Sequence, residues 1–284
     1  MNVKIITDSG CDLPESLIEQ YAIEVMPLIV NIDGQEYFDM QGIKAKELYS
    51  ALREGKIAKT AQVPPAKIRE VFQSYIDQNL PFLYIGLSSE LSGTFQSAYV
   101  TKNELAEENP DAEMEVLDSK AASLGYGLMV LKAAQLAEKG LSLSEIKNEI
   151  ASAYVPHMEH IFTVDDLDFL QRGGRVSKAS AFVGGLLKIK PVLHVEDGKL
   201  VPIEKVRGRN KVFKRMVEIM EERGSNVKEQ IIGISHGDDL ESAEKLKELI
   251  KDSLGAENFL IHTVGATIGS HSGPGTIALF FLNK

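Results

Sequence analysis

The chain has 284 residues, 44% apolar and 25% charged, with a formal net charge of −10. That is enough apolar material for a core and enough length for one large or two modest domains. The acidic balance argues against a protein whose whole surface binds nucleic acid or anionic membrane.

The single cysteine, Cys11, excludes an intramolecular disulfide and a multi-cysteine metal site. It fits a reducing compartment. Val3, Ile5 and Ile6 follow Met1 with no basic region and long apolar run, so no signal peptide is expected. No stretch approaches the roughly eighteen apolar residues of a membrane span. The expectation is a cytoplasmic protein without stable membrane insertion.

In chain order, Val3–Thr7 predicts a first strand, ending in Asp8-Ser9-Gly10. Helix Pro14–Tyr21 follows, then one strand over Glu24–Ile32, closed by Asp33-Gly34. Helices are expected over Ala45–Arg53, Pro65–Gln78, Thr94–Glu107 and Ala121–Glu138, with strands over Phe82–Leu87 and Met114–Leu117. Strands alternating with helices imply a parallel sheet covered on both faces. Ligands of such sheets bind outside the carboxyl ends of the strands. Here those ends carry Thr7-Asp8-Ser9, Ser88-Ser89 and Asp118-Ser119.

The second half reads differently. It offers strand Ile161–Val164, helix Lys178–Leu187 and a hairpin over Pro191–Val206 turning at Asp197-Gly198. Helix Lys211–Arg223, strand Gln230–Ser235, helix Leu240–Leu254 and strand Phe259–Val264 follow, then a glycine-rich loop and strand Ile277–Leu282. The fold class is therefore α/β in two domains. Residues 1–155 form an N-terminal parallel-sheet α/β/α unit, Rossmann-like. Residues 156–284 form an α+β unit with a mixed or antiparallel sheet. The boundary is placed near Ala151–His160, where Pro156 and two histidines interrupt the pattern.

Four clusters are candidates for chemistry. In Lys59-Thr60-Ala61-Gln62-Val63-Pro64-Pro65, Thr60 offers a hydroxyl, though the stretch alone reads as a loop entering a helix at Pro65. In Ser88–Gln96, Ser92, Gly93 and Thr94 sit on a strand-to-helix turn. Free backbone N–H groups and hydroxyls there suit a carboxylate or phosphate, and equally suit a helix cap by Ser92. In Gly269-Ser270-His271-Ser272-Gly273-Pro274-Gly275, the glycines allow close backbone approach around His271, an imidazole able to meet an anion. The fourth cluster is basic. Arg172 to Arg215 carry twelve Lys or Arg against three acidic residues, a local +9 that includes Arg172, Arg175, Arg207 and Arg209. Arginine forks beside glycines suit phosphate or carboxylate, while the ordinary reading of a charge run is a solvated face.

No Walker A loop, no G-x-G-x-x-G after the first strand, no G-x-S-x-G elbow and no familiar metal spacing occurs. His157 and His160, three apart, read as incidental.

Taken in order, these segments resemble the DegV family of bacterial fatty-acid-binding proteins, which includes the binding subunits of the fatty acid kinase system. The resemblance runs along essentially the whole chain. It rests on Thr7-Asp8-Ser9, Thr60-x-Gln62, Leu87-Ser88-Ser89-x-Leu91-Ser92-Gly93-Thr94-Phe95-Gln96-Ser97-Ala98 and Leu117-Asp118-Ser119. In the second half it rests on Asp166-Leu167-x-x-Leu170-x-x-Gly173-Gly174-Arg175, Lys190-Pro191-Val192-Leu193 and His271-x-Gly273-Pro274-Gly275. Ala61 and Val63 depart from the family's usual Ser and Pro.

The resemblance implies a non-catalytic carrier with no cofactor and no metal. A long-chain fatty acid would lie between the domains, its carboxylate held by the Thr60 and Ser92 hydroxyls, the Gly93-Thr94 turn and His271. Its chain would enter a tunnel of the C-terminal domain, with Phe162, Phe182, Leu186 and Phe280 as candidate lining. A fatty acid kinase would be the protein partner, phosphorylating the presented carboxylate. Arg172, Arg175, Arg207 and Arg209 would dock that partner or steady the phosphoryl group. Two other readings stay open: an acyl hydrolase using Ser92 and His271, and a phosphosugar or nucleotide binder using the Ser92 turn.

Overall fold

A computed structural model describes residues 2–176 and 189–284. The expected helix Lys178–Leu187 and the candidates Phe182 and Leu186 lie outside the described residues. In the first half the elements are β1 (Lys4–Asp8), α1 (Glu15–Gln20), β2 (Glu24–Met26), β3 (Ile29–Ile32), β4 (Gln35–Phe38), α2 (Ala45–Arg53), β5 (Ala58–Ala61), α3 (Pro65–Asp77), β6 (Phe82–Gly86), α4 (Thr94–Glu108), β7 (Met114–Asp118), α5 (Leu124–Glu138) and α6 (Leu143–Glu149). In the second half they are β8 (Met158–Thr163), α7 (Asp168–Gly173), β9 (Ile189–Glu196), β10 (Lys199–Arg207), α8 (Arg209–Arg223), β11 (Ile232–His236), α9 (Leu240–Leu254), β12 (Phe259–Thr263), α10 (Ala266–Ser272) and β13 (Ile277–Leu282).

The first sheet runs β2-β1-β6-β7, all parallel. Its strands are buried on both faces, and their side chains divide by alternation. Val3, Ile5, Leu83 and Ile85 pack with α5. Ile6, Phe82 and Tyr84 pack on the other side with Ile68, Val71 and Phe72 of α3 and with Ala98 and Leu105 of α4. The second sheet runs β10-β9-β8-β13-β11-β12 and is mixed, with β11 and β12 parallel and the other pairs antiparallel. It alternates in the same way. Phe162, Leu193, Ala278 and Phe280 join the α5 core, while Ile161, Val192, Leu279 and Phe281 face α8 and α9.

This explains why α5 is apolar almost all round. It lies between the two sheets, packing on β1 and β6 on one side and on β8, β11 and β13 on the other. A helix covered on both sides has no polar face to keep. The expected two-part α/β architecture is the one observed, and one hydrophobic core runs through both parts.

One local expectation changes, two elements are added, and one turn is as expected. The strand foreseen over Glu24–Ile32 is two strands separated at Pro27-Leu28. Proline has no N–H to continue the ladder. The segment beyond it joins a small antiparallel sheet, β4-β3-β5, that the sequence did not suggest. Leu143–Glu149 forms a helix, opened by a capping box between Ser142 and Glu145. The hairpin turns at Asp197-Gly198 as expected, with φ of 49° and 82°, the double positive φ of a tight hairpin.

The two halves of the first sheet are fastened at Asp8, which is fully buried. Its Oδ2 accepts from Tyr84 Oη at 2.7 Å and from the Leu87 amide at 3.1 Å. Its Oδ1 accepts from Tyr126 Oη at 2.7 Å and from the Gly10 amide at 3.2 Å. Burial pushes the carboxyl pKa upward and the four donors pull against that push. One side chain thus ties β1, the end of β6 and α5 together. Asp8→Ala strands these donors without a partner in the core. At ~1–3 kcal/mol per unpaired buried group, the variant is expected to lose at least about 3 kcal/mol. Chemical denaturation measures this; a loss below about 1 kcal/mol would show that water replaces the carboxylate.

Candidate functional site

The β5 strand alternates in exposure, with Ala58, Thr60 and then Gln62 on the inner side. The segment read as a loop is therefore an edge strand that projects Thr60 and Gln62 the same way. Pro65 opens α3 as foreseen. The turn after β6 brings Ser92 and Gly93 opposite them. Ser92 Oγ accepts from the Thr94 amide at 3.2 Å and lies 3.0 Å from Thr94 Oγ1. Thr94 Oγ1 in turn accepts from the Val63 amide at 3.3 Å. Capping and site formation are thus one arrangement. A Cβ at Gly93 would stand 2.3 Å from Gln62 Oε1, so a side chain there would displace the Gln62 amide group from its present position.

His271 is on a short helix, α10, and not in the flexible loop that its glycine neighbours suggested. The helix packs against α2 and α7, which fixes the imidazole. Nε2 of His271 lies 2.7 Å from Thr60 Oγ1. Burial, and then the positive charge of Arg175, lowers the imidazole pKa from 6.5 to about 4. His271 is neutral at pH 7. Arg175 donates from Nε to the Leu91 carbonyl at 3.2 Å, and from Nη1 to the Gly173 carbonyl. It has no carboxylate partner among the described residues.

These groups border a cavity of about 230 Å³ that is partly open to the surface. Thr60, Gln62, Ser92, Gly93, Arg175 and His271 line it. Apolar lining comes from both sides of residue 155: Leu28, Leu87, Leu91 and Ala122 before it, and Phe162, Leu170, Val195, Leu200, Ile268, Ala278 and Phe280 after it. Two of the four apolar candidates, Phe162 and Phe280, are among them. The lining of this cavity is thus shared between the two halves, where the hairpin and the β6–α4 turn close on each other. Ser88 Oγ donates to the Gly198 carbonyl at 2.9 Å across that contact.

Other sequence candidates fall elsewhere. Thr94 stands behind Ser92 and orients it without lining the cavity. The strand-end hydroxyls are bonded within the protein, Thr7 to the Ile85 carbonyl and Ser9 to Asp39. The four arginines do not form one face. Arg175 enters the cavity, and Arg172 is exposed over the Phe169 ring, 4.8 Å from its centroid. Arg207 is exposed at the end of β10. Arg209 is paired with Asp165 at 2.6 Å and with Asp239, so its charge is already matched. Arg215 pairs with Glu204 at 2.6 Å and with Glu222 at 2.9 Å. Part of the local +9 is matched by acids from outside the basic segment, Asp165, Asp239 and Glu222.

Three contributors were missed in the sequence. Gln62 had only its two-residue spacing from Thr60 as a signal. Arg175 was assigned outward. His160, dismissed as incidental, is buried in the cavity wall, edge-on to Phe280 at 5.2 Å, with its pKa lowered by burial to about 4.

The hydrolase reading fails on these contacts. Ser92 bonds to Thr94 and His271 to Thr60, so the two do not form a nucleophile–base pair. Among the described residues no carboxylate is bonded to the imidazole, and its lowered pKa makes it a poor base. Among the described residues no group of three His, Cys, Asp or Glu is placed to hold a metal ion, and no helix is long and apolar enough to cross a membrane.

The DegV family model, described as that of an uncharacterised protein family, matches residues 2–284. The chain belongs to the DegV family. A DegV domain-containing protein of Clostridium perfringens is 42% identical over 288 aligned positions, covering 98% of this chain and 96% of the relative. Among solved structures, a fatty-acid-binding DegV family protein from Thermus thermophilus is 32% identical, with TM-score 0.90 and 99% of each chain covered. A stearic acid-binding protein from Eubacterium ventriosum is 27% identical, with TM-score 0.90, covering 99% of this chain and 98% of its own.

The imidazole gives a pH test with a definite sign. Unfolded His271 takes up a proton near pH 6.5 and native His271 only near 4. The native state binds fewer protons in that window, so its stability falls as pH falls from 6.5 towards 4. His271→Gln removes this contribution. Its stability deficit relative to the unaltered protein should shrink by up to ~3 kcal/mol between pH 7 and pH 4, measured by denaturant unfolding at each pH. A deficit that does not change with pH would mean that His271 titrates normally.

Proposed function

We propose that this protein binds one long-chain fatty acid in the cavity, at the junction of units 1–155 and 156–284. The observation that carries this is the pairing of a mostly apolar cavity with a neutral Thr60–His271 pair, the Ser92 hydroxyl and an arginine that has no carboxylate partner among the described residues. With its proton on Nε2, His271 donates to Thr60 Oγ1. The Thr60 hydroxyl hydrogen is then free for a carboxylate oxygen. The Ser92 hydroxyl and the unused Arg175 nitrogen supply further donors, and Gly93 keeps the wall low. The acyl chain replaces water along Leu87, Leu91, Phe162, Leu200 and Phe280. Burying about twelve methylenes at ~0.8 kcal/mol each gives about 10 kcal/mol before the costs of association. The solved relatives described as fatty-acid-binding support the same reading.

In Thr60→Ala with Ser92→Ala, two charge-assisted bonds are lost at ~1.5–3 kcal/mol each. Calorimetric titration with hexadecanoic acid should show affinity reduced by at least about tenfold, with the thermal unfolding midpoint little changed. Equal affinity would place the carboxylate elsewhere.

The finer role is presentation. The bound carboxylate is offered to a fatty acid kinase, and the acyl phosphate is carried onward. Arg172 and Arg207, both exposed, are the basic groups available to an acidic partner surface, whereas Arg209 is held in ion pairs. Arg172→Glu with Arg207→Glu should slow phosphorylation by the partner kinase several-fold and leave fatty acid affinity unchanged. Unchanged phosphorylation would remove both arginines from docking.

A further inference from the structure

We infer that Asp39, which does not line the cavity, is a positioning residue for the head-group site. Its carboxylate ties the strand pair that carries Thr60 to the helix that carries His271, and so sets the contact between them. The inference rests on the fatty-acid reading above and adds to it a residue on which carboxylate recognition depends.

Thr60 and His271 belong to elements far apart in the chain, β5 and α10, and meet with Oγ1 2.7 Å from Nε2. Asp39 holds both elements. On the helix side, its Oδ2 accepts from the Thr267 amide at 3.1 Å. Thr267 precedes His271 by four positions in α10, so the two share a face. On the strand side, the Asp39 amide donates to the Leu28 carbonyl at 2.9 Å. The same Oδ2 accepts from Ser9 Oγ at 3.0 Å, and Ser9 Oγ accepts from the Leu28 amide at 3.1 Å. Leu28 leads directly into β3, where Val30 is paired with Thr60.

A second buried carboxylate, Asp12, also grips the start of α10. Its Oδ1 accepts from the Gly265 amide at 2.9 Å, but its Oδ2 accepts from Ser123, at the start of α5. Asp12 therefore fixes α10 to α5, and Asp39 fixes it to the sheet of Thr60. Asp39 is 2% exposed and Ser9 1%, so water is a poor substitute for either partner. Hydrogen bonds weaken steeply as distance and angle depart from their optimum. A shift of α10 against β5 would turn the Thr60 hydroxyl away from a bound carboxylate.

The test is calorimetric titration of the intact protein with hexadecanoic acid, with Asp39→Ala made in two backgrounds. In the otherwise unaltered protein, Asp39→Ala is expected to weaken binding about three- to tenfold, a partial loss of one charge-assisted hydrogen bond. In a protein already carrying Thr60→Ala and His271→Gln, the positioned pair is gone. There, adding Asp39→Ala should change affinity by less than about twofold. A merely structural role predicts the same loss in both backgrounds, and that result overturns the inference. So does unchanged affinity on Asp39→Ala alone. Where Asp39→Ala does not fold, Ser9→Ala breaks the strand-side link and decides by the same two comparisons. If hexadecanoic acid does not bind the unaltered protein, the fatty-acid reading fails and this inference falls with it.

Discussion

The Asp8 carboxylate sits without exposed surface where β1, β6 and α5 meet, accepting from two tyrosine hydroxyls and two backbone amides. Much of the site geometry descends from it. The Leu87 amide it accepts from begins the turn that carries Ser92 and Gly93. The tyrosine it accepts from on α5 fixes the helix that both sheets share. A buried carboxylate is tolerated only when fully hydrogen-bonded, so the arrangement has little freedom to relax. The turn is pre-formed before any ligand arrives, and pre-formed donors lose little entropy on binding.

The polar part of the cavity follows a second constraint. A charged imidazole in that position would need a counter-charge, and none of the described residues supplies a carboxylate to it. Burial keeps His271 neutral, and Arg175 reinforces this. The positive charge belongs to Arg175, while the hydroxyls give direction. An anionic head on an apolar tail matches that distribution. A phosphosugar or nucleotide would bring polar groups against Leu87, Leu91, Phe162 and Phe280, which offer no partners.

Much of the fold was legible because buried strands and their covering helices leave strong local patterns. Leu240–Leu254 and Ile277–Leu282 match their observed bounds. Pro27, visible in the sequence, marked a break that the apolar run around it concealed. Thr60, Ser92 and His271 were legible as chemistry-bearing residues, and the structure brings all three to one cavity. The remainder depended on contacts between distant segments. Arg209 is matched by Asp165 and Asp239, which lie 44 and 30 positions away, beyond any local charge count. Arg175 turns inward because the Leu91 carbonyl, 84 positions away, accepts from it. His160 looks incidental until β13 places Phe280 against it.

The central claim is that an anionic apolar molecule fills the space between the two sheets. Native mass spectrometry of the protein as purified tests it most directly. The account predicts a single non-covalent adduct in the mass range of a long-chain fatty acid, released on denaturation. A phosphorylated or sugar-sized adduct in its place would contradict it.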